Sequence, residues 1–491
     1  MTQNPYLALG VRPFINCCSV RTMHGGSLML PQVREAIDAA SRQFVNLDEL
    51  MAAASRRIAA LTGAESGIVT CGSAAAVALG TAACVAGNDP VKMLRLPFTE
   101  GMVNRVVIPA KQRFAYDQAV RMCGCRIVEI ETRADLDEAL KQPVALVVLL
   151  GKQEHLTSVR LEEIAGACKP KGIPIMVDAA SEHIERPSPW LARGADLVVY
   201  SGGKFLRGPQ TSGLLLGSKK LVEAAWRNGS PHQALGRPMK VSKEDIIGVL
   251  AALEVWFGER DEAAERQRWD DDCATIARRV AQIPGVASEV VAPAGVDRVP
   301  RIKIVWDHDK YPLDGLALRN RALDGEPRVM LDDNSATENS IAVDPFQLQP
   351  GEAEQVGDVV VAALLVSAQA ERTPVHAPSL TIAGNWELRV EFLQGARTHR
   401  LALEQDGADL VGHQKSAQFD GPVTGYLDAD IVRFSFEQRY EASRLSYRFE
   451  GRLTDGAMAG TVMLGAASDQ NGGIVNRTQF GAGEWRAKRV A

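Results

Sequence analysis

In the run SGGKFLRGPQTSGLLLG, residues 201–217, Lys204 follows an apolar strand-like segment and sits in a turn flanked by glycines. An ammonium group is strongly hydrated, so a lysine placed there calls for a chemical reason. Two further groups stand in comparable positions. Asp178 closes the apolar run PIMVD, and Gly72-Ser73-Ala74 joins the run IVTC to an alanine-rich stretch. In an α/β sheet, ligands bind outside the carboxyl ends of the strands, where all three groups would lie. A glycine-serine turn opening a helix offers free backbone N–H groups and the positive end of the dipole, a setting for phosphate. With a carboxylate at one strand end and a lysine one βα unit later, the set suits pyridoxal phosphate. Lys204 would take the aldehyde and Asp178 the pyridine nitrogen, while Ser73, Ala74 and Ser201 take the phosphate. The lysine forms an imine that an amino substrate displaces, then moves protons as a free amine, and desolvation lowers its pKa for that task. A P-loop is excluded, since GxxxxGK[ST] is absent and Phe205 follows the lysine.

The elements needed to position these groups are visible in the pattern. IVTCG (68–72), VALVVLLG (144–151), PIMVDAA (174–180), ADLVVYSGG (195–203) and SGLLLG (212–217) are nearly continuous apolar runs, as strands covered on both faces should be. Helical stretches space them, which predicts a mostly parallel sheet with right-handed crossovers. Residues 218–285 read as helices, with an amphipathic stretch in KEDIIGVLAALEVWFGERDEAAERQ. RVPRIKIVWD (298–307) begins a smaller α+β unit that ends in the helix GEAEQVGDVVVAALLVSAQA (351–370). The polar, proline-bearing stretch at 371–379 reads as a linker. From residue 380 onward the pattern has period two, with turns such as QDGADL between runs, which predicts an antiparallel barrel or sandwich over 380–491. Trp386 and Trp485 stand near its two ends, suiting first and last strands that close together.

A chain of 491 residues is too long for one ordinary core. Its net charge of −5 gives no strong attraction to nucleic acid or to an anionic membrane. The eight cysteines form no paired CxxC set, so reduced buried thiols and no metal are expected. With neither a signal-like N-terminus nor a membrane-spanning apolar run, the expected address is the cytoplasm.

RPFIN at 12–16, GGSLMLPQVREA at 25–36, FVNLDEL at 44–50, VDAA at 177–180 and NGSPHQALGRPMKVSKEDIIGVLAALE at 228–254, together with SGGK-x-x-RGPQ-x-SG, resemble one family. It is the group of pyridoxal-phosphate enzymes similar to selenocysteine synthase (the seryl-tRNA selenium transferase) and D-glucosaminate-6-phosphate ammonia-lyase. The resemblance covers roughly residues 10 to 370 and implies the aspartate-aminotransferase fold (fold type I). Residues 61–285 would form the large cofactor domain and 286–370 the small one. Residues 1–60 would contribute to the active site and to a homodimer or higher homo-oligomer. The resemblance also implies Lys204 as the Schiff-base lysine, Asp178 as the pyridinium partner and Ser181 at the ring hydroxyl. Where the family carries a histidine stacked on the ring, this chain has Gln112, which can lie flat but cannot exchange protons. His24, in the divergent segment CCSVRTMHGGS, is either a replacement imidazole facing the substrate or an ordinary surface or core histidine.

A substrate carboxylate or phosphate wants a bidentate arginine. Arg207 and Arg237 match family positions, although Arg207 could equally serve a subunit interface; Arg301 and Arg328 are weaker candidates, and His232 could reach a neighbouring site or be a loop histidine. The reaction implied by the resemblance is α,β-elimination on a hydroxy-amino acid or amino-sugar acid, releasing ammonia. The alternatives are an aminotransferase or another lyase or transferase on the same scaffold. A selenium transferase is less favoured for an acidic chain without a basic stripe, and a ligand-binding pseudo-enzyme is opposed by the presence of both Lys204 and Asp178.

Overall fold

The computed structural model describes residues 4–369, 380–393, 395–454, 456–468 and 476–490. The expected linker at 371–379 lies outside the described residues. The chain divides into two compact units, Met1–Ala368 and Gln369–Ala491.

The first unit is built on a seven-stranded sheet of β1 (Ser66–Thr70), β2 (Arg105–Pro109), β3 (Arg126–Ile130), β4 (Leu146–Leu150), β5 (Ile175–Asp178), β6 (Leu197–Ser201) and β7 (Gly213–Gly217). Their order is β1-β7-β6-β5-β4-β2-β3. Only β7 runs antiparallel to its neighbours, so the sheet is mixed and mostly parallel, as the sequence predicts. The central strands are buried along nearly their whole length, because helices cover both faces. Before the sheet come α1 (Pro31–Ser41) and α2 (Leu47–Thr62). Asn46 caps α2 by accepting the N–H groups of Asp48 and Glu49 at 2.9 and 3.1 Å, and those two acids favour the positive end of the dipole. The alanine-rich α3 (Ser73–Ala86) follows β1; its small side chains let it lie close to the sheet, with eleven of fourteen residues buried. The helices α4 (Lys219–Asn228), α5 (Lys243–Gly258) and α6 (Glu262–Val280) come after β7.

A four-stranded antiparallel sheet forms the small α+β part. It comprises β8 (Val286–Val291), β9 (Arg301–Trp306), β10 (Asp332–Thr337) and β11 (Ser340–Val343), in the order β10-β11-β9-β8. On β9 the burial alternates, with Ile302, Ile304 and Trp306 inward, and α6, α7 (Gly315–Asp324) and α8 (Glu352–Ala368) supply the other wall of that core. The N-terminal segment is stitched to this part: Ile15–Asn16 pairs in parallel with Val329–Met330, and Cys18 bridges to Asp344.

The second unit is a closed antiparallel barrel of β12 (Gly384–Glu391), β13 (Ala396–Asp406), β14 (Asp409–Lys415), β15 (Asp420–Asp428), β16 (Ile431–Tyr440), β17 (Ser443–Thr454), β18 (Ala457–Ser468) and β19 (Asn476–Arg489). Between barrel and sandwich, the structure chooses the barrel, since β12 pairs with β19 and leaves no open edge. Trp386 and Trp485 lie on those closing strands, fully buried in a core that includes stacked Phe434 and Phe449.

Candidate active site

The carboxyl edge of the seven-stranded sheet brings Lys204, Asp178 and Ser181 together. Asp178 is the last residue of β5, and its register partners are Leu150 on β4 and Val199 on β6. Its Oδ1 accepts the Ala180 N–H at 2.9 Å, which fixes the carboxylate on the turn that carries Ser181. Lys204 follows β6, and its Nζ donates to Ser181 Oγ at 3.1 Å. The loop around the lysine is folded back on itself. A Cβ on Gly203 would stand 2.3 Å from Gln210 Cα, so the second glycine of SGGK is required by the close return of the chain. Arg207 takes a left-handed φ of +56°, a conformation that non-glycine residues rarely adopt.

Burial holds the Lys204 ammonium below its ordinary pKa; nearby Asp178 partly offsets that, and Lys152 adds to it. Burial raises Asp178, against the Ala180 N–H and the charge of Lys204. A buried carboxylate in that state favours a cation placed beside it, and a partly desolvated amine is a ready nucleophile and base.

The 72–74 turn and Ser201 converge through Gly213 on β7, whose register partners are Thr70 on one side and Ser201 on the other. Gly72 precedes α3 with no side chain capping the helix, so the N–H groups of its first turn are left for another acceptor. Ser73 is half-buried and Ala74 exposed. Gln112, fully buried, lies near the same edge: its Oε1 accepts the Leu150 N–H at 2.8 Å and its Nε2 is 3.5 Å from Thr157 Oγ1.

The three substrate-side candidates make these contacts within the chain. Arg207 donates through Nε to Leu28 O at 3.0 Å, and Arg237 reaches Ser230 Oγ at 3.4 Å. His24 packs edge-on against Phe14, with centroids 5.4 Å apart. His232 bonds Asp48 and the Trp226 carbonyl. Of the weaker arginines, Arg301 lies 3.4 Å from buried Asp344, and Arg328 serves the carbonyls of Leu323 and Arg12.

Two groups near the lysine escaped the sequence reading. Ser27 donates Oγ–H to the carbonyls of Gly203 and Lys204 at 3.0 and 2.7 Å, pinning the lysine turn to the N-terminal segment. The motif GGSLML contained it, but a lone serine gives no sign of so distant a contact. Glu182 follows Ser181, and its Oε2 accepts the Trp190 indole N–H at 2.8 Å while its Oε1 is buried without a partner. Burial raises it to about 8, against that hydrogen bond, so this carboxyl is largely protonated at neutral pH. Nothing in the run SEHIERP marks that acid as special. All eight cysteines are free thiols, and the described residues contain no cluster of three or more His, Cys, Asp or Glu suited to a metal.

Comparison with known proteins agrees with this geometry. The aminotransferase class-V family pattern matches residues 112–240. The chain is 31% identical over 366 residues to a 5'-C-glycyluridine monooxygenase-decarboxylase from Streptomyces, covering 72% of this chain and 90% of that protein. It is 27% identical over 364 residues to the D-glucosaminate-6-phosphate ammonia lyase of Salmonella typhimurium, covering 72% and 95%. A solved D-glucosaminate-6-phosphate ammonia-lyase structure superposes with a TM-score of 0.67 at 26% identity, covering 75% of this chain and all of that one. The L-seryl-tRNA(Sec) selenium transferase of Proteus mirabilis matches at 25% over 284 residues, spanning 50% of this chain and 57% of that protein. The uncapped α3 terminus, the buried Asp178 and the lowered Lys204 amine fit the phosphate, ring nitrogen and aldehyde of pyridoxal 5'-phosphate. The chain is thus an enzyme of pyridoxal 5'-phosphate and belongs to the fold-type I family of selenocysteine synthase and D-glucosaminate-6-phosphate ammonia-lyase.

Proposed function

We propose that this enzyme is a lyase that removes a β-hydroxyl and then ammonia from a hydroxy-amino acid or amino-sugar acid. The observation that carries the reading is Lys204 Nζ, buried beside Asp178 and 3.1 Å from Ser181 Oγ at the carboxyl edge of the sheet. The bound cofactor supplies an electron sink for the pair left on the substrate α-carbon. The protein does the rest. Ser73, Ala74 and Ser201 hold the phosphate, Asp178 keeps the ring nitrogen protonated, Ser181 orients the ring hydroxyl, and Gln112 covers one ring face. Lys204 Nζ takes the α-proton, a role its desolvated setting favours by lowering the pKa of the amine. Gln112 cannot carry a proton, so proton movement is concentrated on Lys204. Arg207 and Arg237 remain the proposed anchors for a substrate anion.

A second reading, loss of the α-carboxylate instead of the α-proton, is favoured by that same Gln112. Such chemistry does not require a second acid–base group on the ring face, and the Streptomyces relative is named a monooxygenase-decarboxylase. The active unit is proposed to be a homodimer or larger. Phe44, Leu9 and Phe98 of the first unit are 101%, 79% and 70% exposed, an arrangement that a second copy would relieve. Sedimentation at micromolar concentration tests it, and a monomer would refute it. Among the described residues no helix is long and apolar enough to cross a membrane.

The test begins with the visible spectrum of the purified protein, borohydride reduction and peptide mass mapping, which should place the reduced cofactor on Lys204. Amino and hydroxy-amino acids are then screened for ammonia and carbon dioxide. Ammonia with a 2-oxo acid supports the lyase. Carbon dioxide supports the second reading, and an amino group passed to an added keto acid refutes both. Lys204→Ala should abolish turnover while the fold persists.

A further inference from the structure

Lys152 stands at the carboxyl edge of the sheet and has no part in the cofactor set. It comes two residues after Leu150, the last residue of β4, which pairs in register with Asp178. Neighbouring strands lie about 5 Å apart, so Lys152 starts from a point close to the Asp178 carboxylate. Gly151, just before it, leaves no room for a side chain: a Cβ there would fall 2.2 Å from Glu182 Oε1. Glu182 follows Ser181, whose Oγ accepts from Lys204 Nζ. Lys152 thus belongs to the surroundings of the reacting amine, and its charge acts on both Lys204 and Glu182.

A carboxylate from the small part holds that ammonium. Lys152 Nζ donates to Asp297 Oδ1 at 3.0 Å, and Asp297 lies in the loop between β8 and β9. The two side chains are 33% and 30% exposed, so water reaches the pair and another carboxylate can exchange with Asp297 without a preformed cavity. The loop does not depend on that bond. Arg298, the next residue, donates to Glu185 Oε1 at 3.0 Å, and the Asp297 N–H donates to the Ala294 carbonyl at 3.1 Å. Release of Lys152 then needs only a turn of the Asp297 side chain. An amino acid that reacts through its nitrogen at Lys204 carries its carboxylate carbon two bonds from that nitrogen. The cation that holds this group must stand within a side chain's length of Lys204, as Lys152 does. The arginines proposed above then serve an anion farther along the substrate.

We propose that Lys152 anchors the α-carboxylate of the amino substrate and that Asp297 occupies this place in the free enzyme. The proposal deepens the function above and rests on Lys204 being the reacting centre. The test titrates the full-length, cofactor-loaded protein with L-alanine, D-alanine and ethylamine, which is alanine without its carboxylate. Alanine has no β-hydroxyl to lose, so visible absorbance of the cofactor reports binding without elimination. One alanine should bind at least about tenfold more tightly than ethylamine, each counted as neutral amine, the scale of one charge-assisted hydrogen bond. In Lys152→Gln that ratio should fall toward one. Asp297→Asn removes the competing carboxylate and should raise the ratio about two- to fivefold, the scale of a part-exposed ion pair. Should Lys152→Gln lose the cofactor band, Asp297→Asn carries the test. No preference in the wild type, or an unchanged ratio in either cofactor-bearing variant, would overturn the anchor. So would a preference lost in Arg207→Gln but kept in Lys152→Gln. No spectral shift with any of the three compounds would remove Lys204 as the reacting centre and the anchor with it. A Lys152-dependent preference without ammonia release from hydroxy-amino acids keeps the anchor and sinks the lyase reading; ammonia release with a Lys152-independent ratio does the reverse.

Discussion

Glu182 gives the fold of the first unit a pH dependence that one substitution should remove. Its carboxyl goes from 4.5 when exposed to about 8 in the folded chain, mainly because burial strips the carboxylate of water. The folded state therefore binds this proton across a range in which the unfolded state has released it. The stability it contributes is fully present below pH 4.5 and declines as pH rises toward about 8. Between pH 6 and 8 the decline amounts to about 2 kcal/mol, from ~1.36 kcal/mol per pH unit with some flattening near the upper end. Glu182→Gln keeps the shape and an oxygen able to accept the Trp190 indole N–H, now 2.8 Å from Oε2, but cannot ionise. The measurement is urea unfolding of wild type and variant at pH 6, 7 and 8, read on loss of the cofactor's visible absorbance. Wild type should lose about 2 kcal/mol relative to the variant over that interval. The comparison between two proteins cancels the other titrating groups. His183, held down at about 3 by burial, is already neutral in the folded chain across this window, and its titration near 6.5 in the unfolded chain is common to both proteins. Parallel pH profiles would refute the reasoning and place Glu182 in contact with water.

Asp178→Asn removes the buried charge while preserving the acceptor for the Ala180 N–H; cofactor affinity should fall about ten- to hundredfold, together with turnover, as measured by spectral titration. An unchanged affinity would remove Asp178 from the ring nitrogen. Gly203→Ala places a methyl 2.3 Å from Gln210 Cα and should cost at least about 2 kcal/mol with loss of the cofactor band, visible in thermal unfolding followed by absorbance. Trp485→Ala empties a fully buried site whose indole N–H bonds the carbonyls of Glu450 and Thr461 at 3.2 and 3.0 Å; denaturant unfolding of the full chain should show the barrel weakened by about 3–5 kcal/mol.

Much of this enzyme is legible in its sequence, for physical reasons. Strands covered on both faces must be apolar along their whole length, so LVVLL, IMVD and LVVYS announce a mostly parallel sheet, and strict alternation from Trp386 onward announces an antiparallel domain. Lys204 and Asp178 stand out because ionisable groups at the ends of such runs cost solvation. Closure of the barrel was open in the sequence, since a period of two fits a sandwich equally well; the pairing of β12 with β19 decides it. Only the tertiary structure brings Ser27 to the Lys204 carbonyl, across 177 positions of chain, or Arg21 to Asp332, across 311. Sequence periodicity reports what each element buries locally. Which distant side chains meet depends on how elements pack, and a single serine, arginine or glutamate carries no sign of its eventual neighbour. Glu182 shows the limit: in the sequence it is an ordinary acid, and only its burial beside Trp190 makes it a carboxyl that keeps its proton.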